Sequence, residues 1–531
     1  MKYIHFKLLS TTTFVALLLP NVSFSKDLGH ASLYRRCHAH LIGETPKLDD
    51  PNLASIRSGS LTGLQACENL LSRMTINSAD AEGKLINPND EIAVKGLRNL
   101  IYVTKQFVKV TSPEGNIANY LEGFSATEDI FDHTAPALVM TENALNPNRN
   151  FRDIFSITKV PVAKRVTDPL YSGLYTMNSV YGSPGDFTVL TSARQRLGLP
   201  FRDSGGVLRN PASFQFNLFL ENSAKTLSET IPITLPVITT GETVGIHYNQ
   251  STSMLSIPSA TQTRLGITDQ NNSTLFPLGF DLNSVFGKGI LGIRVYLTAN
   301  IQEGPLATST FMPRRLSQSF IRDYMCRDLP IIREADALPF VTAASNANSF
   351  RQAVSCAACH ATMDPMAGAF RSIQVMRMGT AGEGRSFVTV HNRSLGNMSA
   401  EAVWPEGYDA NYWQRPANGK LFMRSYDGKL INKSVVGFSG LVDEIANTDD
   451  VYICAAKKWF QHFTGIDVKL FDAGDPKNSA YMSNFTSLDW DYRNFVINQG
   501  LALKQHQKVK TLISNIIKSP YYKKSDFGKE R

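Results

Sequence analysis

The sequence predicts a mainly α-helical fold with a small inserted β element, and three observations carry that reading. Apolar residues recur with a helical period over residues 27–110 and again over 301–531. Between these blocks, residues 231–300 change to strand-period alternation. The composition, 19% charged and 43% hydrophobic, is that of a globular chain and not of a disordered or collagenous one. A length of 531 residues allows several domain-sized units. There is no repeat of solenoid length, no low-complexity tract and no sustained heptad run.

The first element reads as an address. Lys2 and Lys7 supply positive charge, Leu8 to Pro20 form a mostly apolar core, and Val22-Ser23-Phe24-Ser25 places small residues for a cut after Ser25. That layout is a secretory signal peptide over residues 1–25, with an uncleaved N-terminal anchor as the competing reading. No cysteine stands at the cut, so no lipoprotein anchor is expected. The stretch is short for a membrane span and has no successor. An exported protein of the periplasm or cell envelope, with no transmembrane span after cleavage, is therefore expected. Nucleic-acid binding is not expected of an exported chain with no matching motif.

Residues 26–150 read as an N-terminal helical domain. Leu33, Cys37 and Leu41 share a face that Gly43 can end, and Pro51 suits a first helical turn. Thr62 with Gln65 makes a capping box for a helix burying Leu64, Cys67, Leu71 and Met74. A longer helix is expected near Asp90 to Phe107. Residues 151–311 form a mixed region holding the β element. Val244, Ile246 and Tyr248 alternate, residues 249–252 can turn the chain, and Leu255 and Ile257 alternate again. Ile290 to Leu297 reads as a further strand. Near the C-terminus, Thr448 can open a helix through Trp459 and Phe463 that stops at Gly465. Val509, Leu512, Ile513, Ile516 and Ile517 form an apolar stripe that ends before Pro520.

The net charge of +8 has a location. Residues 504–531 hold eight Lys and Arg against Asp526 and Glu530. That run reads as a basic docking patch for an acidic partner or, more simply, as a solvated helix face with a frayed tail.

One motif carries chemistry. Cys356-Ala357-Ala358-Cys359-His360 is a C-x-x-C-H pentapeptide. Two thiols on one helical turn reach the two vinyl groups of a haem, and the next residue offers an imidazole to the iron. The expectation is one covalent haem c, held by Cys356 and Cys359 with His360 as axial iron ligand. Zinc would need a second ligand pair, a dithiol redox site would be expected in a βαβ context, and a disulfide across two residues would be strained. The distal iron ligand has five candidates, Met376, Met378, His391, Met398 and Met423, of which Met398 is preferred. Asp364-Pro365 is placed to end the haem-bearing turn.

The residues around this motif resemble the planctomycete-type cytochrome c proteins. Met363-Asp364-Pro365 follows the pentapeptide, as in that family. Pro313-Arg314-Arg315 and Ile321 to Pro330 are similar to its Arg-rich helix ending in Cys and Pro. Tyr426-Asp427-Gly428-Lys429-Leu430, the segment Cys454 to Phe460 with Thr464-Gly465, and Ser519-Pro520-Tyr521-Tyr522 look like its later motifs. The likeness covers roughly residues 312–531; Leu33-Tyr34-Arg35-Arg36 is a faint echo upstream. Ile331-Ile332-Arg333-Glu334 stands where the family has a proline-rich run. The resemblance implies a haem c module over residues 312–425, a helical module over 426–531, and haem binding with electron transfer. It does not imply a substrate.

Four cysteines remain, and their three possible pairings stay open from the residues alone. Cys37 and Cys67 lie on the buried faces of neighbouring helices, which favours joining them. The resemblance places Cys326 and Cys454 at matched positions and so favours that bridge. Four buried free thiols are the simpler alternative. No G-x-S-x-G, H-E-x-x-H or phosphate-binding glycine loop is present. His462, beside Trp459 and Phe463, reads as an ordinary packed histidine. The chain is thus expected to be a periplasmic mono-haem c-type cytochrome that moves single electrons to an unknown, acidic redox partner, more an electron carrier than a substrate-converting enzyme. Two alternatives are a haem enzyme or small-ligand sensor with an open distal site, and a non-catalytic envelope protein that binds a ligand or partner.

Overall fold

The computed structural model describes residues 26–76, 89–108, 135–157, 289–292, 296, 311–343, 351–370 and 417–528. It also gives the backbone of short strands between 159 and 277 and at 373–378 and 385–390. The expected signal segment, and His391 and Met398, lie outside the described residues.

The architecture is mainly helical. Helix α1, His30–Ile42, buries Leu33, Tyr34, Cys37 and Leu41 and ends at Gly43, whose φ of 87° lets its amide reach Ala39 O at 3.0 Å. Asp50 caps α2, Pro51–Arg57, by accepting from the amides of Asn52 and Leu53. The Thr62–Gln65 box opens α3, Gly63–Arg73, and Asp90 caps α4, Glu91–Phe107. Helices α1, α3 and α4 pack together, with α5, Ala135–Leu145, against α4. At Gly96 a Cβ would meet Met74 Sδ at 2.0 Å, so α4 approaches its neighbour closely only through a glycine.

The C-terminal half repeats the logic. Helices α6, Phe311–Met325, and α7, Val354–Ala367, pack against each other and against a hairpin. Then come α8, Gly437–Asn447; α9, Asp449–Thr464; α10, Ser487–His506; and α11, Val509–Lys518. Helix α9 ends at Gly465, φ 71°, and α11 buries the stripe Val509, Leu512, Ile513, Ile516 and Ile517. Helices α9 and α10 are in intimate contact because Gly500 has no side chain; a Cβ there would lie 2.4 Å from Ile453 Cα.

One apolar core runs through both halves, from Leu33 through Phe107 and Phe320 to Trp459 and Tyr522. Trp459 meets Phe107 edge-on, ring centroids 5.1 Å apart, and stacks on Phe463. Lys458 Nζ donates to the carbonyls of Phe107 and Asp323, stitching the halves further. Residues 519–528, which follow α11, are docked, not frayed. Arg36 donates to the carbonyls of Tyr522, Lys524 and Ser525 at 2.7–2.8 Å, and Leu28 N to Lys523 O at 2.8 Å.

Strands are short and mostly antiparallel. Strands β1, Lys159–Thr167, and β5, Phe214–Asn222, pair from Lys159↔Asn222 to Thr167↔Phe214, with β2, Tyr175–Thr176, parallel beside β5. Strands β3, Phe201–Arg202, and β4, Leu208–Arg209, pair with each other. The expected β element appears as β6, His247–Asn249, β7, Met254–Ser256, and β8, Leu275–Pro277, joined in that order. Strands β9, Ile373–Met378, and β10, Arg385–Val390, make one hairpin; β11, Asn418–Arg424, and β12, Leu430–Val436, make another, turned at Gly428.

Three sequence expectations change. Residues 290–292 form a 3-10 turn, not a strand: Gly289 at φ 80° bends the chain tightly against Phe155, burying Ile290 and Leu291. Helix α7 runs through Pro365 to Ala367, since buried Asp364 and Pro365 are held by packing and by Arg314. Cys37 and Cys67 are adjacent, buried and free, and burial pushes the Cys37 thiol up, followed by its Cys67 neighbour. Cys326 and Cys454 are joined, with Cα atoms 5.1 Å apart.

Candidate functional site

Helix α7 turns its alanines inward and its chemistry outward. Ala357, Ala358 and Ala361 pack on Ile332, Ala337 and Phe422. Cys356 is exposed, while Cys359, His360 and Met363 are half-buried on the same outer stripe. His360 Nδ1 lies 3.2 Å from both oxygens of Asp364. Asp364 is itself gripped by the Arg314 fork at 2.7 and 2.9 Å.

This arrangement does not uphold the haem expectation. Among the described residues no three His, Cys, Asp or Glu side chains converge as a metal-holding group, and the pentapeptide makes none. Met423, a distal candidate, is wholly buried in the main core on β11. Met376 and Met378 stand on β9. The assignments of covalent haem c, with His360 as its iron ligand, and of single-electron transfer are accordingly corrected; Met398, the preferred distal ligand, lies outside the described residues. A haem enzyme or haem sensor falls with them.

A second concentration of polar groups lines a cleft of about 510 Å³ between α3, α5 and the start of α11. Its lining includes Arg149, Lys508, Lys510 and Lys518 against one carboxylate, Glu68. The sequence folds this way because Gln507, at φ 62°, turns the chain sharply between α10 and α11. That turn is fastened where Phe151 N donates to Gln507 O at 2.7 Å. Lys508 Nζ then reaches the carbonyls of Pro147 and Arg149 and the Asn150 side chain, each at 3.0 Å.

Two features make the cleft electropositive, while two of its other cations are neutralised by acids. Lys510 has neutral neighbours, donating to Thr75 Oγ1 at 2.7 Å, and burial lowers its ammonium to about 8. Helix α11 opens without a side-chain cap and with no acid in its first turn, so its positive dipole end is uncompensated. Lys518 spends its charge on Glu68, and Arg149 pairs with Glu142 at 3.3 Å. Within the lining, buried Asn143 gives its Nδ2 hydrogen to Asn150 O at 2.6 Å, leaving Oδ1 unpaired and closed to solvent.

Sequence reasoning located the lysines of this cleft as part of the basic run but not Arg149 or Asn143. Those come from a turn-rich segment far away in the chain, for which Asn146-Pro147-Asn148 is the only local signal. His40 and His462, by contrast, are packed residues. Their rings lie 5.7 Å apart, His40 Nδ1 meets Tyr522 OH at 2.9 Å, and burial lowers both, His40 to about 4.

No family model, curated protein or solved structure matches this chain. The likeness to planctomycete-type cytochrome c proteins is corrected on that ground and on the geometry of α7.

Proposed function

We propose that this chain is a ligand-binding protein of the cell envelope, and that its ligand carries negative charge. The observation that supports this reading is the cleft at the start of α11, where Lys508, Lys510 and an uncapped helix end face a space of about 510 Å³. A cavity of that size suits a small organic anion. Fixed cations and backbone N–H groups recognise phosphate or carboxylate without rearrangement. A sugar phosphate or sugar acid is a small organic anion of the size this space takes. Placement in the periplasm rests on the N-terminal signal pattern. Among the described residues no helix is long and apolar enough to cross a membrane, which is compatible with that placement.

Calorimetric titration with inorganic phosphate, a hexose phosphate and the neutral hexose tests the reading. Binding of the hexose phosphate is expected, weaker binding of phosphate, and none of the neutral sugar. Lys510→Met should weaken it roughly tenfold, the loss of one charge-assisted hydrogen bond. Equal binding by wild type and Lys510→Met, or no anion bound at millimolar concentration, defeats the proposal.

A further inference from the structure

We propose that Cys356 and Cys359 form a dithiol–disulfide exchange site acting on cysteine pairs of other proteins. Of the six cysteines, Cys326 and Cys454 are bonded, Cys37 and Cys67 are buried, and only this pair is free and reachable. The two differ in the way exchange requires. Cys356 is exposed in the first turn of α7, so a foreign sulfur can approach it in line. Cys359 sits one turn further in, half-buried, and burial together with the Cys356 thiol pushes it up. The exposed sulfur also lies in the first turn of the helix, at the positive end of its dipole.

The scaffold holds that turn in place. Ala357, Ala358 and Ala361 fix the opposite face of α7 on Ile332, Ala337 and Phe422. The first turn itself has no side-chain cap. Residues three apart on a helix bring their Cβ atoms to about 5–6 Å, and a disulfide needs roughly 4 Å. Closing the ring therefore asks for a small local unwinding, at the one place in a helix where the amides have no intrahelical partner to lose.

The chemistry balances with an external disulfide. The Cys356 thiolate attacks one sulfur of that disulfide, forming a mixed disulfide and expelling a thiolate that takes up the Cys356 proton. The Cys359 thiolate then attacks Cys356 Sγ, closing the internal bond and expelling the second thiolate, which takes the Cys359 proton. Two electrons pass from the pair to the foreign disulfide; run backwards, the same steps oxidise a partner's dithiol.

Oxidised glutathione tests this on the full chain, with acid quenching, alkylation and peptide mass mapping. As isolated, both thiols should alkylate. Wild type should pass to an internal Cys356–Cys359 bond with no glutathione retained. Cys359→Ser should accumulate glutathione on Cys356, and Cys356→Ser should lose the internal bond and leave Cys359 largely unmodified. Circular dichroism identical to wild type in both variants keeps the comparison clean. A group already attached to either sulfur in the isolated protein overturns the proposal. So does glutathione retained on Cys356 in wild type at the level seen in Cys359→Ser.

Discussion

Replacing Gly500 by alanine should destabilise the protein, although the same change on a free helix would stabilise it. Alanine is better than glycine in a helix interior by about 1 kcal/mol. Here the new methyl would stand 2.4 Å from Ile453 Cα and 2.7 Å from its amide nitrogen, whereas ordinary contact begins at 3.4 Å. Backbone cannot rotate away as a side-chain tip can, so α9 and α10 must separate by about 1 Å. Overpacking of this kind costs about 1–3 kcal/mol, and the strain spreads to Asp450 and Cys454 on the same face of α9. The net expectation is a loss of about 2 kcal/mol, set by the clash rather than by propensity. Gly440→Ala is the control. It lies inside α8, where a Cβ meets nothing nearer than Val435 Cβ at 3.9 Å, so it should gain roughly 0.5–1 kcal/mol. Urea unfolding followed by tryptophan fluorescence measures both. A Gly500→Ala protein as stable as wild type, beside a stabilised Gly440→Ala, would refute the close-packing argument.

Opening the Cys326–Cys454 bond by double alanine substitution removes a constraint on a separation of 128 residues. Chain entropy gives about 5 kcal/mol as an upper figure, and a loss below about 1 kcal/mol in the same urea assay would count against it. Arg327→Met should cost about 3–5 kcal/mol at neutral pH, because it strands Asp450, whose Oδ1 it now holds at 3.0 Å in the core. Burial raises Asp450 to about 6 from 3.8, so this group favours the fold below the lower value and loses that contribution as pH rises through the upper one. The Arg327→Met penalty should therefore shrink towards acid pH, and a penalty independent of pH would contradict the assignment. Binding of the hexose phosphate should weaken as pH rises through about 8, where burial-lowered Lys510 gives up its proton, and Lys510→Met should abolish that step in the titration.

Local signals were legible in the sequence wherever one helix turn or one turn residue decides the outcome. Gly43, Pro51, the Thr62–Gln65 box, Gly465 and the α11 stripe sit where periodicity and capping put them. Ile290 to Leu297 misled because a short apolar run satisfies strand and buried turn alike, and Gly289 decides between them only through its contact with Phe155. Pro365 misled because the break it favours is outweighed by burial and by the Arg314–Asp364 grip, which is made by residues fifty apart. The pentapeptide names residues that share a turn but carries no information on what faces them. The cleft shows the same limit from the other side: Lys508 and Lys510 are visible as charge, yet their setting depends on Asn143, Arg149 and Thr75.

The Arg36 guanidinium, held by the carbonyls of Tyr522, Lys524 and Ser525, has a consequence for how the chain is made. Tyr522 also covers the side of α1 that carries Cys37 and His40, so the first helix of the fold is finished by nearly the last residues described. A chain emerging from the ribosome N-terminus first shows Leu33, Tyr34 and Cys37 uncovered until residues 522–525 have followed. Contacts this remote in sequence form late and slowly, since the intervening chain must be gathered before they close. During that interval the unpaired Cys37 and Cys67 are open to wrong partners, and the arrival of the C-terminal segment is the event that shuts them away. Translation order and the oxidation of cysteines are thereby linked: a Cys326–Cys454 bond made before that segment docks is made beside thiols that are still uncovered.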